Sequence, residues 1–135
     1  MPAARTGLDT RIVELVLPFP PRELSPNARA GQWDKIKAVK DYRYACKVEA
    51  LKVRNVAPAG SFPLAVPVQA HITFVVRTNR SRDEDNLMAS MKAGIDGIVD
   101  ARVLAGDDAR LLNWRTCKII MGDKAEVRLR LEAGG

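Results

Sequence analysis

Apolar and polar residues alternate along residues 66–77, and this pattern constrains the fold more than any other part of the chain. Side chains point to opposite faces of a strand in turn, so the alternation predicts a half-buried or central β-strand. Such a strand needs neighbours in a sheet and a hydrophobic layer on one face. The apolar positions are Val68, Ala70, Ile72, Phe74 and Val76.

Two segments with helical spacing flank this strand, one over residues 33–55 and one over residues 85–101. In each, apolar residues recur at steps of three and four, which is typical of an amphipathic helix that covers a sheet. The predicted stripes are Val39, Tyr42, Cys46, Ala50 and Val53 in the first helix, and Leu87, Met88, Met91, Ile95 and Ile98 in the second.

Three further extended segments complete the predicted sheet, over residues 12–17, 111–121 and 127–131. Gly122, Asp123 and Lys124 separate the last two and are typical of a hairpin turn, so these strands are predicted to be antiparallel neighbours. The predicted fold is α/β (α+β), a single mixed β-sheet with two main helices in the order β-α-β-α-β-β.

The chain has 135 residues, which predicts one domain over residues 11–135 after a flexible N-terminal lead-in over residues 1–10. Its net charge of +6 favours a polyanionic partner. It has neither the run of roughly 18 apolar residues that spans a membrane nor a signal peptide, so we expect a cytoplasmic protein without membrane contact. No glycine loop of the Walker type is present, so no nucleotide cofactor is expected.

Asp83 and Asp85 precede the second predicted helix. If they lie on extended backbone their carboxylates share one side, and paired carboxylates of this kind suit Mg²⁺, or alternatively Mn²⁺. Arg77, Arg80 and Arg82 surround the pair and favour an anionic substrate such as a phosphodiester. The same spacing is also typical of a helix cap in a solvated turn, and both interpretations stay open at this point.

The second helix carries two further features. Asp85, Lys92 and Asp96 are spaced by seven and four, which predicts one ridge on which Lys92 stabilises phosphate charge and Asp96 forms a salt bridge with it. On the opposite flank, Gly94 and Gly97 weaken the helix, so we expect another strand or a second subunit to pack closely there, or the helix to end near Gly97.

Basic residues form two further groups. Lys40, Arg43 and Lys47 are expected to line one stripe of the first helix, where they either follow phosphates or form an ordinary solvated face. Arg115, Arg128 and Arg130 are predicted to point outward from the last two strands and either add to a nucleic-acid surface or protect a sheet edge.

Four stretches of the chain, taken together and in this order, resemble the RusA family of Holliday junction resolvases. They are residues 17–21 (LPFPP) with residues 25–27 (SPN), residues 42–43 (YR), residues 82–87 (RDEDNL) and residues 107–109 (DDA). The resemblance implies a homodimeric, metal-dependent endodeoxyribonuclease that hydrolyses phosphodiesters in branched DNA, such as a four-way junction, during recombination and repair.

The resemblance also implies roles for individual residues. Asp83, Asp85 and Asp108 correspond to the family's ligands for Mg²⁺ (Mn²⁺ possible), and Lys92 to its catalytic lysine. In the family that lysine follows the second aspartate by four, where this chain has Ala89. The supporting residues are Asp96, Asp107 and Asn86. Two alternative functions stay open, a catalytically inactive junction-binding protein and a metal-dependent phosphohydrolase that acts on nucleotides.

Overall fold

The computed structural model describes residues 11–79 and 82–133, which form a four-stranded mixed sheet with helices packed on one face. The predicted lead-in over residues 1–10 and Arg80 lie outside the described residues. The elements are β1 (Arg11–Pro18), a 3-10 turn (Arg22–Leu24), α1 (Gln32–Asn55), β2 (Val68–Val76), α2 (Glu84–Ser90), α3 (Lys92–Asp100), β3 (Leu112–Met121) and β4 (Glu126–Ala133).

The predicted fold class and element order are confirmed, with one refinement in the second helix. This helix is interrupted at Met91, whose N–H bonds to the carbonyl of Met88 (3.0 Å), three residues earlier. Asp85 therefore lies in α2, whereas Lys92 and Asp96 lie in α3. The predicted single ridge is regular only for the last two.

The strands lie in the order β1-β4-β2-β3. β4 is antiparallel to both β1 and β2, and β3 is parallel to β2. The predicted hairpin between β3 and β4 is wrong, because β2 lies between them. The connection crosses the end of β2, where the N–H of Gly122 bonds to the carbonyl of Val76 (2.9 Å). A side-chain Cβ at Gly122 would lie 2.6 Å from Val75 Cγ1, so the crossing needs glycine.

One face of the sheet forms the hydrophobic core. The predicted alternation of β2 is confirmed, since all five of its predicted apolar residues are buried. Tyr42, Cys46 and Ala50 of α1 pack against this core, whereas Val39 of the same predicted stripe is 43% exposed. Each large side chain removed from water here contributes about 1.5–3 kcal/mol. The largest fully buried residues include Leu17, Leu64, Ile72, Phe74, Ile98, Leu129 and Leu131.

α1 and α3 approach each other closely at two glycines of α3. A Cβ at Gly97 would lie 2.1 Å from the carbonyl oxygen of Arg43, and one at Gly94 would lie 2.8 Å from Tyr42 Cε2. The prediction of close packing at these glycines is therefore confirmed. The partner is neither a strand nor a second subunit but helix α1 of the same chain, and α3 continues past Gly97 to Asp100.

Within residues 11–79 and 82–133, no helix is both long enough and apolar enough to span a membrane.

Candidate functional site

Asp83 is the N-cap of α2. Its backbone is extended (φ −96°, ψ 117°), and its Oδ1 accepts a hydrogen bond from the N–H of Asp85 (2.9 Å). The capping interpretation is thus confirmed for Asp83. The expectation that both aspartates share extended backbone is wrong, because the helix begins at Glu84 and Asp85 lies in its first turn.

A groove beside Asp83 joins the acidic segment to the proline-rich segment after β1. We call it the Asp83 groove, and its volume is about 420 Å³. Two guanidinium groups and one carboxylate line it among apolar side chains, which suits a ligand with both charged and apolar parts. Its lining residues are Phe19, Pro20, Pro21, Arg22, Ser25, Arg82, Asp83, Asn86, Leu87 and Ser90.

Local hydrogen bonds shape one wall of this groove. Arg82 donates to the carbonyl of Thr78 (2.9 Å) and to its hydroxyl (3.0 Å), which fixes the approach to the Asp83 cap. Ser90 closes the other end of α2, where its hydroxyl donates to the carbonyl of Asn86 (2.8 Å). Asn86 is half-buried in the same turn of helix.

Tyr42 anchors the proline-rich segment to the helices. Its hydroxyl donates to the carbonyl of Pro18 (2.7 Å) and lies 3.4 Å from the sulfur of Met91, at the break between α2 and α3. The side chain is buried, and this burial raises the pKa of Tyr42 far above its ordinary value. The hydroxyl therefore stays protonated and keeps donating. Phe19 adds an edge-to-face contact with Phe74 (6.1 Å between ring centroids).

Lys92 connects α3 to the turn that carries the second acidic pair. Its Nζ lies 2.7 Å from Asp107 Oδ2 and 3.1 Å from Asp96 Oδ1. The predicted pair with Asp96 is confirmed. Hydrogen bonds that Lys92 donates to Asp107 and Asp96 raise the pKa of Lys92, so the ammonium group stays charged. Its side chain is nonetheless 67% exposed and accessible to a ligand.

A small pocket of about 130 Å³ lies next to this ammonium group, and we call it the Lys92 pocket. Trp114 of β3 forms part of its wall and is 38% exposed. The sequence analysis did not identify Trp114, nor Arg22 and Ser25 of the Asp83 groove. The proline-rich stretch of the resemblance was a signal for the last two, whereas no local pattern marks Trp114. The pocket is lined by Met88, Met91, Lys92, Ile95, Asp107 and Trp114.

Asp108 lies in the turn before β3 and is exposed. Its Oδ1 accepts the N–H of Arg110 (2.9 Å), and its Oδ2 lies 3.5 Å from the guanidinium of Arg110. The backbone hydrogen bond from Arg110, more than the nearby charge, lowers the pKa of Asp108. Its carbonyl accepts the N–H of Leu111 (2.9 Å). Asp108 thus stabilises its own turn.

The three predicted metal ligands do not form a cluster. Among residues 11–79 and 82–133, no group of three or more His, Cys, Asp or Glu side chains could hold a metal ion. Local bonds account for this, because Asp83 caps α2 and Asp108 binds its own turn. Mg²⁺, however, commonly takes only one or two carboxylates and completes its shell with water and phosphate oxygens. Asp83 and Asp85 fit that smaller donor set.

Cys117 of β3 reports the position of Asp85. Partial burial raises the pKa of the Cys117 thiol, and the negative charges of Glu84 and Asp85 raise it further. α2 packs against β3, and Trp114 of the same strand forms part of the wall of the Lys92 pocket.

The predicted DNA-binding residues fall into two groups. Lys40, Arg43 and Lys47 share a third groove of about 400 Å³, the α1 groove, with Asp41, Tyr44 and Asp100. Arg77 is exposed just after β2, Arg82 lines the Asp83 groove, and Arg80 lies outside the described residues. Arg43 forms two hydrogen bonds with Asp100 (2.6 and 2.9 Å), which ties α1 to α3.

The basic residues of β4 have a different setting from the one predicted. β4 is an inner strand, so the expectation that Arg128 and Arg130 protect a sheet edge is wrong. Arg128 pairs with Glu126 (2.9 Å) and Arg130 with Glu132 (2.8 Å). These ion pairs balance charge on the exposed face of the sheet.

Comparison with known proteins gives one informative match. The chain is 38% identical over 103 residues to an uncharacterized protein of Xylella fastidiosa (strain Temecula1), across 73% of this chain and 62% of that protein. The chain thus spans less than two thirds of the length of the relative. No family model matches the chain.

Proposed function

We propose that this protein is a metal-dependent, structure-selective endodeoxyribonuclease of the RusA type that hydrolyses phosphodiesters in branched DNA, including Holliday junctions. The observation that carries the proposal is the Asp83 groove. Two stretches far apart in the sequence, the proline-rich segment and the acidic segment, meet there, and both belong to the resemblance. A resemblance in sequence alone does not require those stretches to meet.

The charges along the groove support a phosphodiester substrate. Arg22 and Arg82 are cations in a groove that also contains the Asp83 carboxylate. Arg77 is exposed at the end of β2 and adds positive charge just before this segment. Cations beside a carboxylate site attract an anionic backbone and offset the repulsion between phosphate and carboxylates.

We assign the chemical roles as follows. Asp83 and Asp85 would hold Mg²⁺ or Mn²⁺, and Asp108 is the third proposed ligand. The bound cation would supply charge stabilisation at the phosphate and a nucleophile near neutral pH. Lys92 donates hydrogen bonds to phosphate or leaving-group oxygens, while Asp96 and Asp107 orient its ammonium group. Asn86 supports the turn that carries Asp85.

The contact between Lys92 and Asp107 supports the inclusion of Asp108. This ion pair holds the turn of the second acidic pair against α3, immediately after the helix that carries Asp85. The proposed assembly is a homodimer in the cytoplasm, in which two active sites nick two symmetric strands.

A second candidate function is a catalytically inactive protein that binds junctions. The observation that favours it is the lack of a three-carboxylate cluster among the described residues. It predicts junction binding without cleavage under all metal conditions. A phosphohydrolase that acts on nucleotides is a third possibility, and weak salt dependence of substrate binding would favour it.

A cleavage assay separates these possibilities. The purified protein is incubated with a labelled synthetic four-way junction, with a linear duplex of the same arm sequence, and with nucleoside triphosphates, each with Mg²⁺, Mn²⁺ or EDTA. We expect cleavage of the junction only, and only with a divalent cation. Binding of the junction without cleavage in either metal would favour the inactive protein, and hydrolysis of nucleotides alone would favour the phosphohydrolase.

A further inference from the structure

The outer side of α1 carries exposed aromatic residues among lysines. Trp33 is 80% exposed and Tyr44 is 66% exposed, although large aromatic side chains usually lie in the core. Tyr42, two residues from Tyr44, shows the ordinary behaviour, since it is only 4% exposed. The core therefore does not account for Trp33 and Tyr44.

Helical geometry puts these aromatics on one stripe. At about 100° per residue, Trp33 and Tyr44 differ by about 20° after three turns and lie roughly 16 Å apart along the axis. Lys40 and Lys47 fall within about 60° of Tyr44 on the same side. The buried residues Tyr42 and Cys46 lie about 160° from Tyr44, so the ring of Tyr44 points away from the core. Lys47 lies at the edge of the stripe beside α3, where a Cβ at Gly97 would come 3.0 Å from its backbone nitrogen. We call Trp33, Lys40, Tyr44 and Lys47 the outer stripe of α1.

The α1 groove gives the stripe a concave section. Tyr44 lines it together with the cations Lys40, Arg43 and Lys47. Its two carboxylates already have partners, because Asp100 binds Arg43 (2.6 Å) and Asp41 binds Lys37 (2.5 Å). Lys40 therefore adds positive charge beside the Tyr44 ring, and Lys47 adds a second positive charge that also acts on Asp100.

We propose that the outer stripe of α1 binds an unpaired polynucleotide strand. Bases stack on Trp33 and Tyr44, and the backbone phosphates contact Lys40 and Lys47. Exposed aromatic rings beside positively charged side chains are features with which proteins hold single strands without sequence preference, and here Tyr44 lines the α1 groove while Trp33 lies on the same helix outside it. The spacing between the rings leaves room for two or three nucleotides, at roughly 6 Å per extended nucleotide. The inference rests on the proposed nucleic-acid substrate but not on cleavage.

The direct test measures binding of a fluorescein-labelled oligothymidylate of about 15 nucleotides by anisotropy, in EDTA, so that cleavage plays no part. We expect Trp33→Ala and Tyr44→Ala each to weaken binding about fivefold or more. Trp33→Phe keeps a stacking ring and should retain most of the affinity. The matched control is Val56→Ala, which shortens a residue 85% exposed at the other end of the helix.

The lysines are tested through salt dependence. Lys40→Gln combined with Lys47→Gln should reduce the slope of log affinity against log salt by about 1.4, since each phosphate contact on a single strand contributes about 0.7. A slope and an affinity unchanged by all four substitutions would overturn the inference. So would a loss of molar mass in Trp33→Ala by light scattering, which would identify the stripe as a contact between copies of this chain.

The two proposals can fail separately. Single-strand binding that depends on Trp33 and Tyr44, in a protein that cuts no junction, supports the stripe and rejects the nuclease. Junction cleavage together with single-strand binding that ignores both aromatics rejects the stripe and leaves the nuclease proposal intact.

Discussion

Gly97 of α3 lies so close to Arg43 of α1 that a Cβ there would stand 2.1 Å from the Arg43 carbonyl oxygen. The obstacle is backbone inside a helix, which does not move aside as a flexible side chain does. This contact sets the distance between the two helices, and with it the position of Tyr42 and of the candidate site beyond it.

Gly97→Ala should therefore destabilise the protein by about 3 kcal/mol, because α1 and α3 must separate to admit the methyl group. Urea unfolding followed by circular dichroism measures the change. Gly31→Ala is the matched control, since a Cβ there meets nothing closer than Asp34 Oδ2 at 3.9 Å. Equal unfolding midpoints for the two variants would contradict the close approach.

Tyr42→Phe should lower the free energy of unfolding by about 1–2 kcal/mol, because it leaves the partly buried carbonyl of Pro18 without its donor. Junction cleavage should fall as well, since the proline-rich wall of the Asp83 groove loses its anchor. Tyr44→Phe removes the same oxygen from a ring 66% exposed and should leave stability within error. If both variants unfold alike, the hydrogen bond to Pro18 contributes nothing.

Cys46 should make the protein less stable at alkaline pH. Burial raises the pKa of its thiol from 9.0 to about 11, so between these values the folded state holds the proton that the unfolded state releases. Its stabilising contribution is complete below about pH 9 and is lost as pH rises toward about 11, by roughly 2–3 kcal/mol. Urea unfolding at about pH 8 and about pH 11 should show a smaller loss in Cys46→Ala than in the unchanged protein.

Asp85→Asn should reduce cleavage of a four-way junction by about a hundredfold or more, since it removes a charged proposed ligand of the metal. Binding of the junction in EDTA should persist or tighten, because a repulsive anion is gone. Glu84→Gln makes the same charge change one residue earlier and should cut normally. Full activity in the Asp85 variant would reject the proposed site.

Lys92→Gln should also reduce cleavage by about a hundredfold, through the loss of a cation at the phosphate. Its stability should change little, because the ion pairs with Asp96 and Asp107 involve a side chain 67% exposed. Lys118→Gln, on the exposed face of the sheet, is the charge-matched control. If Lys92→Gln lowers the free energy of unfolding but leaves the rate of junction cleavage unchanged, Lys92 has a structural role and not a catalytic one.

Local periodicity was sufficient to predict most of the elements. The alternation of residues 66–77 identifies β2 because its buried side is apolar at every second position. The stripe with Tyr42, Cys46 and Ala50 identifies α1 because these buried residues recur at every fourth position, as expected for one face of a helix. Periodicity reports which side of an element is buried, and that information is local.

The strand order was not predictable in this way. Gly122, Asp123 and Lys124 are residues typical of a tight turn. Such a turn predicts that the chain reverses direction, but it does not show whether another strand lies between the two strands that it joins. β2 occupies that space, and none of its residues is fully exposed on either face. The same limit applies to Trp114, whose part in the Lys92 pocket depends on α2 and α3 packing beside β3.

The candidate site was predicted in part. The pair between Lys92 and Asp96 follows from helical spacing and is present, whereas the roles of Asp83, Lys92 and Asp107 in catalysis stay predictions. The prediction that Asp85 lies on extended backbone was wrong. Asp83 is the N-cap, so the helix begins at Glu84 and Asp85 lies in its first turn. The same carboxylate can either cap a helix or bind a metal ion, and the spacing of residues in the sequence does not show which of these two roles it has.

The position of β4 between β1 and β2 has a consequence for biosynthesis. On the ribosome β1 emerges first, yet its only partner in the described sheet is made more than a hundred residues later. Until Glu126–Ala133 leaves the exit tunnel, β1 and β2 both present open backbone edges, and no nascent intermediate can close the sheet. The native sheet therefore assembles only after β4 has been synthesised, when this strand joins β1 to the pair formed by β2 and β3.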